Sequence, residues 1–200
     1  MKSVFWLALI CIIAFILQSI IPQSTNAFLL NENSFHQPYR FITSIFLHGD
    51  ILHLAYNLFA LLLFGFILER YIGTKKFLAV FFISGITANL IAVNFYSQSL
   101  GASGAIFGVI GALTVIKPFL IVWAFALPMP LILASILWAA GDIFRTFTNS
   151  NIGTIAHLSG IIFGIIFGFL FRKKHKENKR TRLHIPETYF KDWEDKWMLK

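Results

Sequence analysis

Apolar residues run along this chain in long blocks separated by short polar stretches, not in alternation. A helix crossing a hydrocarbon core needs about 20 predominantly apolar residues. The blocks predict six spans, at 4–21, 51–68, 77–95, Ser103–Ile116, 119–140 and 155–171. The first is stopped by Pro22, and the fifth carries Pro128 and Pro130 inside it. The expected architecture is all-α: a polytopic six-transmembrane-helix bundle over 1–171, followed by a basic cytoplasmic tail over 172–200. No internal repeat is visible.

The fourth block is too short to cross a bilayer at about 1.5 Å per residue. Polar, flexible sequence precedes it, Ser97-Gln98-Ser99-Leu100-Gly101. Irregular backbone at membrane depth is tolerated only inside protein or along a wet cavity. Ser103 is therefore expected to start a helix below the outer surface, at the floor of a water-filled pocket. The first block has the outline of a signal peptide, but its apolar run is long and Lys2 is a thin basic region, so an uncleaved span is expected.

Charge then orients the bundle. Hydrophobic residues make up 57% of the 200 and charged ones only 13%, with a mean hydropathy of +0.72. The net charge of +8 divides into +3 over 1–171 and +5 over 172–200. Basic residues near span ends mark the cytoplasmic side. Lys2, Arg70, Lys75, Lys76, Lys117 and Arg172-Lys173-Lys174 fall on one side, Arg40 and Arg145 on the other. Both termini are expected in the cytoplasm of a multi-pass cell-membrane protein. The tail, which ends in the aromatic and acidic run 189–197, is read as an anchor on anionic inner-leaflet lipids, not as a nucleic-acid-binding element. The loops 22–50 and 141–154 face outward, the second as a cap. Cys11 is the only cysteine, so no intrachain disulfide exists, and it reads as a packing residue.

Three polar constellations interrupt the apolar blocks. Gly101-Ala102-Ser103-Gly104 puts a hydroxyl at a helix start, where unpaired N–H groups can meet an oxyanion. The alternative is a helix cap with glycines for packing. Ala156-His157-Leu158-Ser159-Gly160 puts a histidine on one face with Gly160, Gly164 and Gly168, a surface suited to close helix packing. The alternative is a histidine that only hydrogen-bonds across helices. His48, His53 and Asn57 cluster near the start of the second span, with His53 and Asn57 on one face. They suit oxyanion donors, an interfacial polar rim, or a metal site with His157; no carboxylate or thiolate is spaced to complete that metal site. Serine and histidine together are the minimum for a hydroxyl nucleophile and its base.

These motifs resemble those of the rhomboid intramembrane serine proteases. GASG at 101–104 and AHLSG at 156–160 are similar to that family's catalytic serine and histidine motifs. His48, His53 and Asn57 fit its HxxxxHxxxN pattern. Glu69 to Gly73 resembles its E-x-x-x-G signature, and Tyr39-Arg40 its first-loop Trp-Arg pair. The likeness covers about 36–171, in order.

It implies an endopeptidase acting on transmembrane protein substrates by a Ser-His dyad, without cofactor or metal, in a pocket opening to the outer face. Ser103 would be nucleophile and His157 base. The Ser103 N–H, His53 and Asn57 would form the oxyanion hole, and Phe107 would pack on His157, where many relatives carry Tyr. Arg40 and Glu69 would be structural. Such a dyad needs no third carboxylate, so His157 would depend on packing and Phe107 for its orientation. Pro128 and Pro130 make the fifth span a candidate gate.

Other readings are a silent client-binding relative, a transporter or metal carrier, and an aspartyl intramembrane protease built on Asp50 and Asp142. The intact Ser103, His157, His53 and Asn57 argue against the first. The lack of a repeat and of an intramembrane carboxylate argues against the second. Ala139, where a GxGD motif needs glycine, argues against the third.

Overall fold

The computed structural model describes residues 3–146 and 153–178, with Thr188 and Lys196 singly. The chain enters as α1 (Ser3–Ile20), which ends just before Pro22, and turns through α2 (Ser24–Phe28). A surface layer follows, with strand β1 (Leu30–Asn31) and α3 (Arg40–Thr43). Asp50 then caps the second apolar rod, its side chain accepting a 2.8 Å hydrogen bond from the His53 N–H. The rod is α4 (Ile51–Ala60), a π-helical turn at Leu61–Gly65, and α5 (Phe66–Ile72). Gly73, at φ 80°, breaks it and opens α6 (Thr74–Ala92). Strand β2 (Gln98–Ser99) pairs antiparallel with β1 and leads into α7 (Ser103–Ile116).

Helix α7 is the core of the molecule, and its composition explains why. Ten of its residues are buried, and Gly104, Gly108, Gly111, Ala105 and Ala112 give it a thin waist on several sides. A Cβ at Gly104 would come within 2.9 Å of the Ala88 Cβ of α6. The last helix, α9 (Thr154–Asn178), makes the most extensive helix pairing in the bundle with α7. Gly160, Gly164 and Gly168 face α7 backbone: a Cβ on Gly160 would overlap the Gly104 carbonyl oxygen, one on Gly164 that of Gly108, and one on Gly168 would lie 2.9 Å from that of Ala112. This is backbone-to-backbone packing of a small-residue face.

The fifth block departs from expectation. Residues 119–140 are not one helix: β3 (Ile121–Ala124) and β4 (Leu127–Pro130) form a hairpin, and only then does α8 (Leu131–Thr146) begin. The turn residues Phe125 and Ala126 have φ of 53° and 61°, as a two-residue primed turn needs. Pro128 and Pro130 therefore lie on a strand with an open edge, where a missing N–H is tolerated, and kink no helix. Helix α8 also runs to Thr146, so the expected loop from 141 begins later.

Four segments are long and apolar enough to cross a membrane among the described residues: Ser3–Ile20, Ile51–Ile72, Thr74–Ala92 and Thr154–Arg172. α7 and α8 are shorter, 14 and 16 residues. By that measure the six expected spans are four long ones and two shorter helices. α9 continues to Asn178 without a break at 171. Six of the fourteen residues of the expected cap, 147–152, and most of the expected tail, 179–187, 189–195 and 197–200, lie outside the described residues.

Candidate active site

Ser103 occupies the first position of α7, and the loop before it is held in place from three sides. The Gly101 N–H donates to the Ser44 carbonyl at 2.9 Å. The Ser44 hydroxyl donates to the Arg40 carbonyl at 2.6 Å. Buried Asn89 of α6 donates to the Phe41 carbonyl at 2.9 Å and the Ser44 hydroxyl at 3.0 Å. Gly101 has φ 127°, and a Cβ there would stand 2.9 Å from His53 Nε2 and 3.9 Å from Ser103 Oγ. The space between histidine and serine therefore exists because residue 101 is glycine. Among the described residues the Ser103 hydroxyl makes no hydrogen bond, and it opens into a cavity of about 810 Å³.

His157 enters the same cavity from the first turn of α9. The helix start is fixed by Tyr96, whose phenol oxygen accepts from the Ile155 N–H at 3.1 Å and pairs with the Thr154 hydroxyl at 3.2 Å. Phe107 stacks on the imidazole, centroids 4.4 Å apart and planes within 10°. Asp142 of α8, buried, places Oδ2 3.0 Å from His157 Nδ1. This corrects the expectation that His157 is oriented by packing alone. The block pattern put Asp142 in an outward loop, but the extra turns of α8 carry it back to the histidine.

His53 and Asn57 line the cavity opposite His157. The Gly49 N–H approaches His53 Nδ1 at 3.5 Å, leaving Nε2 as the N–H facing Gly101. Asn57 Nδ2 donates to the His53 carbonyl at 2.9 Å, which uses one of its two protons. His48 stands behind them, edge-on to the His53 ring at 5.1 Å, with Nδ1 3.2 Å from the Phe46 carbonyl. Gln18 of α1 brackets the His48 backbone, accepting from its N–H at 3.1 Å and donating to its carbonyl at 3.2 Å.

Burial, and secondarily the charge of His53, pushes His48 down to about 4. Its Nε2 is buried without a partner among the described residues. The unfolded chain takes up this proton near pH 6.5, while the folded chain refuses it until about pH 4. His48 thus favours the native state fully above pH 6.5, and this contribution is lost as pH falls to 4. The thermal midpoint in detergent should drop across that window, and His48→Phe should flatten the drop.

Arg40 and Glu69 lie away from the cavity. Buried Arg40 donates through Nη1 to the Asn26 and Leu29 carbonyls, both at 2.8 Å, and through Nε to Gln37 at 2.6 Å. Tyr39 is exposed and donates to the Ala27 carbonyl. Glu69 Oε1 accepts from Ser3 and Thr74, both at 2.7 Å, joining α1, α5 and α6. Gln18, Asn89, Tyr96 and Asp142 carry the site as much as these two do, yet none belongs to a short motif. The one available signal was that each is a polar residue within or beside an apolar block.

Residues 36–174 match the rhomboid domain family. Rhomboid protein 1, mitochondrial, of Saccharomyces cerevisiae is 31% identical over 163 residues, covering 74% of this chain and 46% of the yeast protein. Rhomboid-like protease 3 of Toxoplasma gondii is 36% identical over 124 residues, 56% of this chain and 47% of the relative. Putative rhomboid protease YdcA of Bacillus subtilis is 34% identical over 143 residues, 68% of each chain. The chain thus spans about half the length of the yeast and Toxoplasma relatives. The match runs from the surface layer through the last apolar helix and takes in every polar cluster of the cavity. The chain belongs to the rhomboid family of polytopic helical membrane proteins, which includes proteases.

Proposed function

We propose that this chain is an intramembrane serine endopeptidase that hydrolyses peptide bonds of transmembrane protein substrates. The observation that carries the reading is the convergence of Ser103, His157, His53 and Asn57 on one cavity at the α7 N-terminus. As Ser103 Oγ attacks the scissile carbonyl carbon, its proton passes to His157 Nε2, and the carbonyl π pair moves to oxygen. That oxyanion accepts hydrogen bonds from the Ser103 N–H, His53 Nε2 and the second Asn57 proton, worth about 10²–10³ in rate per donor. The intermediate collapses, the C–N bond breaks, and the leaving amine takes the proton from His157. Water then gives its proton to His157, attacks the acyl-serine, and Ser103 leaves with that proton. No step requires a cofactor or metal.

The substrate reaches this site laterally. Trp138 of α8 stands edge-on to Phe64 of the π-helical turn, centroids 6.0 Å apart, and both line the cavity. This aromatic contact closes the gap between α8 and the second rod. Such a pair is worth about 0.5–1.5 kcal/mol beyond its buried area. Trp138→Ala should therefore raise kcat/KM for a transmembrane substrate by about 2- to 10-fold, read in liposomes. An unchanged or lowered value would sink the gate. In this reading both termini lie in the cytoplasm and the cavity mouth opens to the outer face, supported by the basic residues at the span ends.

The test is cleavage of a model transmembrane substrate in liposomes, with a chelator present, alongside labelling by a fluorophosphonate. Cleavage, and label mapped to Ser103, is the expected result. Label at another residue, or cleavage surviving Ser103→Ala, would overturn the reading. A folded wild type that neither cleaves nor labels would favour a silent client-binding relative.

A further inference from the structure

Asp142 is the buried charge that the proposed chemistry leaves unused. It is 3% exposed on a helix whose preceding turns are apolar. A carboxylate at such a place is costly unless it is paired. Its Oδ2 is 3.0 Å from His157 Nδ1, and Oδ1 lies 3.9 Å from Nη1 of half-exposed Arg145 on its outer side.

We infer that Asp142 is a positioning residue that turns the Ser103–His157 pair into a Ser-His-Asp triad. The inference rests on the protease reading. Stacking on Phe107 fixes the plane of the imidazole, but a stacked ring can still turn within that plane, and stacking does not choose which nitrogen carries the proton. The Asp142 contact decides both. An ionised carboxylate accepts only, so Nδ1 must donate, and Nε2 is left as the lone-pair nitrogen for Ser103. When the Ser103 proton arrives at Nε2, the imidazolium is held by a charge-assisted hydrogen bond in a site of low dielectric. Asp142 stays ionised throughout and takes no proton.

The other charged groups around His157 are Arg145, on α8 and lining the cavity, and His53 on α4, itself beside Asp50. α7 carries no charged side chain and presents Ser103 and the Phe107 ring to this site. Arg145 and His53 would both be positive when charged, so neither can replace Asp142 as acceptor for Nδ1–H.

The experiment compares wild type with Asp142→Asn and Asp142→Leu, two substitutions close to aspartate in size, in the full chain in detergent. Cleavage kinetics are read beside the ¹⁵N spectrum of labelled histidines, with His157 assigned by His157→Gln. The expected result is a fall in kcat of about 10²- to 10⁴-fold with KM within about twofold, and a His157 proton moved from Nδ1 to Nε2. A lowered thermal midpoint with kcat per folded molecule and the Nδ1–H signal both retained would reduce Asp142 to a packing residue and overturn the inference. The spectrum separates the two claims. A wild type that never cleaves, with the tautomer still shifting in both variants, overturns the protease reading. An unchanged tautomer overturns the role of Asp142 whatever the wild type does.

Discussion

Ser103→Ala is expected to lower kcat by about 10⁶-fold, His157→Ala by about as much, and the double variant no further. Nucleophile and base act as one unit: without Oγ there is nothing for His157 to deprotonate, and without Nε2 the hydroxyl keeps its proton at neutral pH. The residual rate comes from the oxyanion donors and the cavity walls, which neither substitution removes. KM should hold, because the substrate is gripped by the apolar lining. The two variants should differ in stability. Among the described residues Ser103 Oγ has no hydrogen bond to lose, and alanine is the better helix former, so Ser103→Ala should melt at or slightly above wild type. His157→Ala removes the Phe107 stack and leaves the Asp142 carboxylate without its imidazole partner, at a cost of about 1–3 kcal/mol. Kinetics and thermal melts of the same four preparations check both halves. Additive losses in kcat would mean that the two residues do not share a step.

Much of this arrangement was legible because hydrophobicity and small residues encode it directly. The fourth block predicts α7 to the residue, and the glycine face of the sixth predicts a close contact with a neighbouring helix, which is α7 in the structure, since small residues let two backbones meet. The hairpin was illegible for a specific reason. A primed two-residue turn is normally announced by Asn or Gly, and this one is made by Phe125 and Ala126. Both strands are apolar, so hydropathy alone cannot separate them from the helix that follows. The prolines were a signal, but they fit a kinked helix and a strand with an open edge equally well.

Asp142 was hidden by the same error in reach. The apolar block weakens after residue 140, and Gly141-Asp142 reads as the start of a loop; the helix continues because α9 packs alongside it. One helical turn decides whether that carboxylate faces water or an imidazole. The supporting bonds of Gln18, Asn89 and Tyr96 span 30 to 59 residues in sequence, and long-range pairing of this kind leaves no local pattern. The serine and histidine stood out earlier because each lies in a short glycine-marked motif.

Gly160→Ala is expected to damage stability and catalysis together. The added methyl would overlap the Gly104 carbonyl oxygen and stand 3.0 Å from its carbon, against rigid backbone that cannot rotate away. The helices must separate, at a cost of about 1–3 kcal/mol for overpacking. Gly104 is the residue after the nucleophile and Gly160 lies one turn beyond the base, so the separation moves Ser103 from His157 directly. A displacement of about 1 Å between reacting groups can cost about 10²-fold in rate. Turnover by the folded fraction should therefore fall by about that factor, on top of the lowered melt. Gly141→Ala is the control. Nothing lies within 4 Å of a Cβ at Gly141, which sits within α8 beside Asp142. There the same substitution should be neutral or stabilising by up to about 1 kcal/mol, through helix propensity alone. Equal behaviour of the two variants, in melts and in turnover per folded molecule, would mean that the glycine face does not set the distance between serine and histidine.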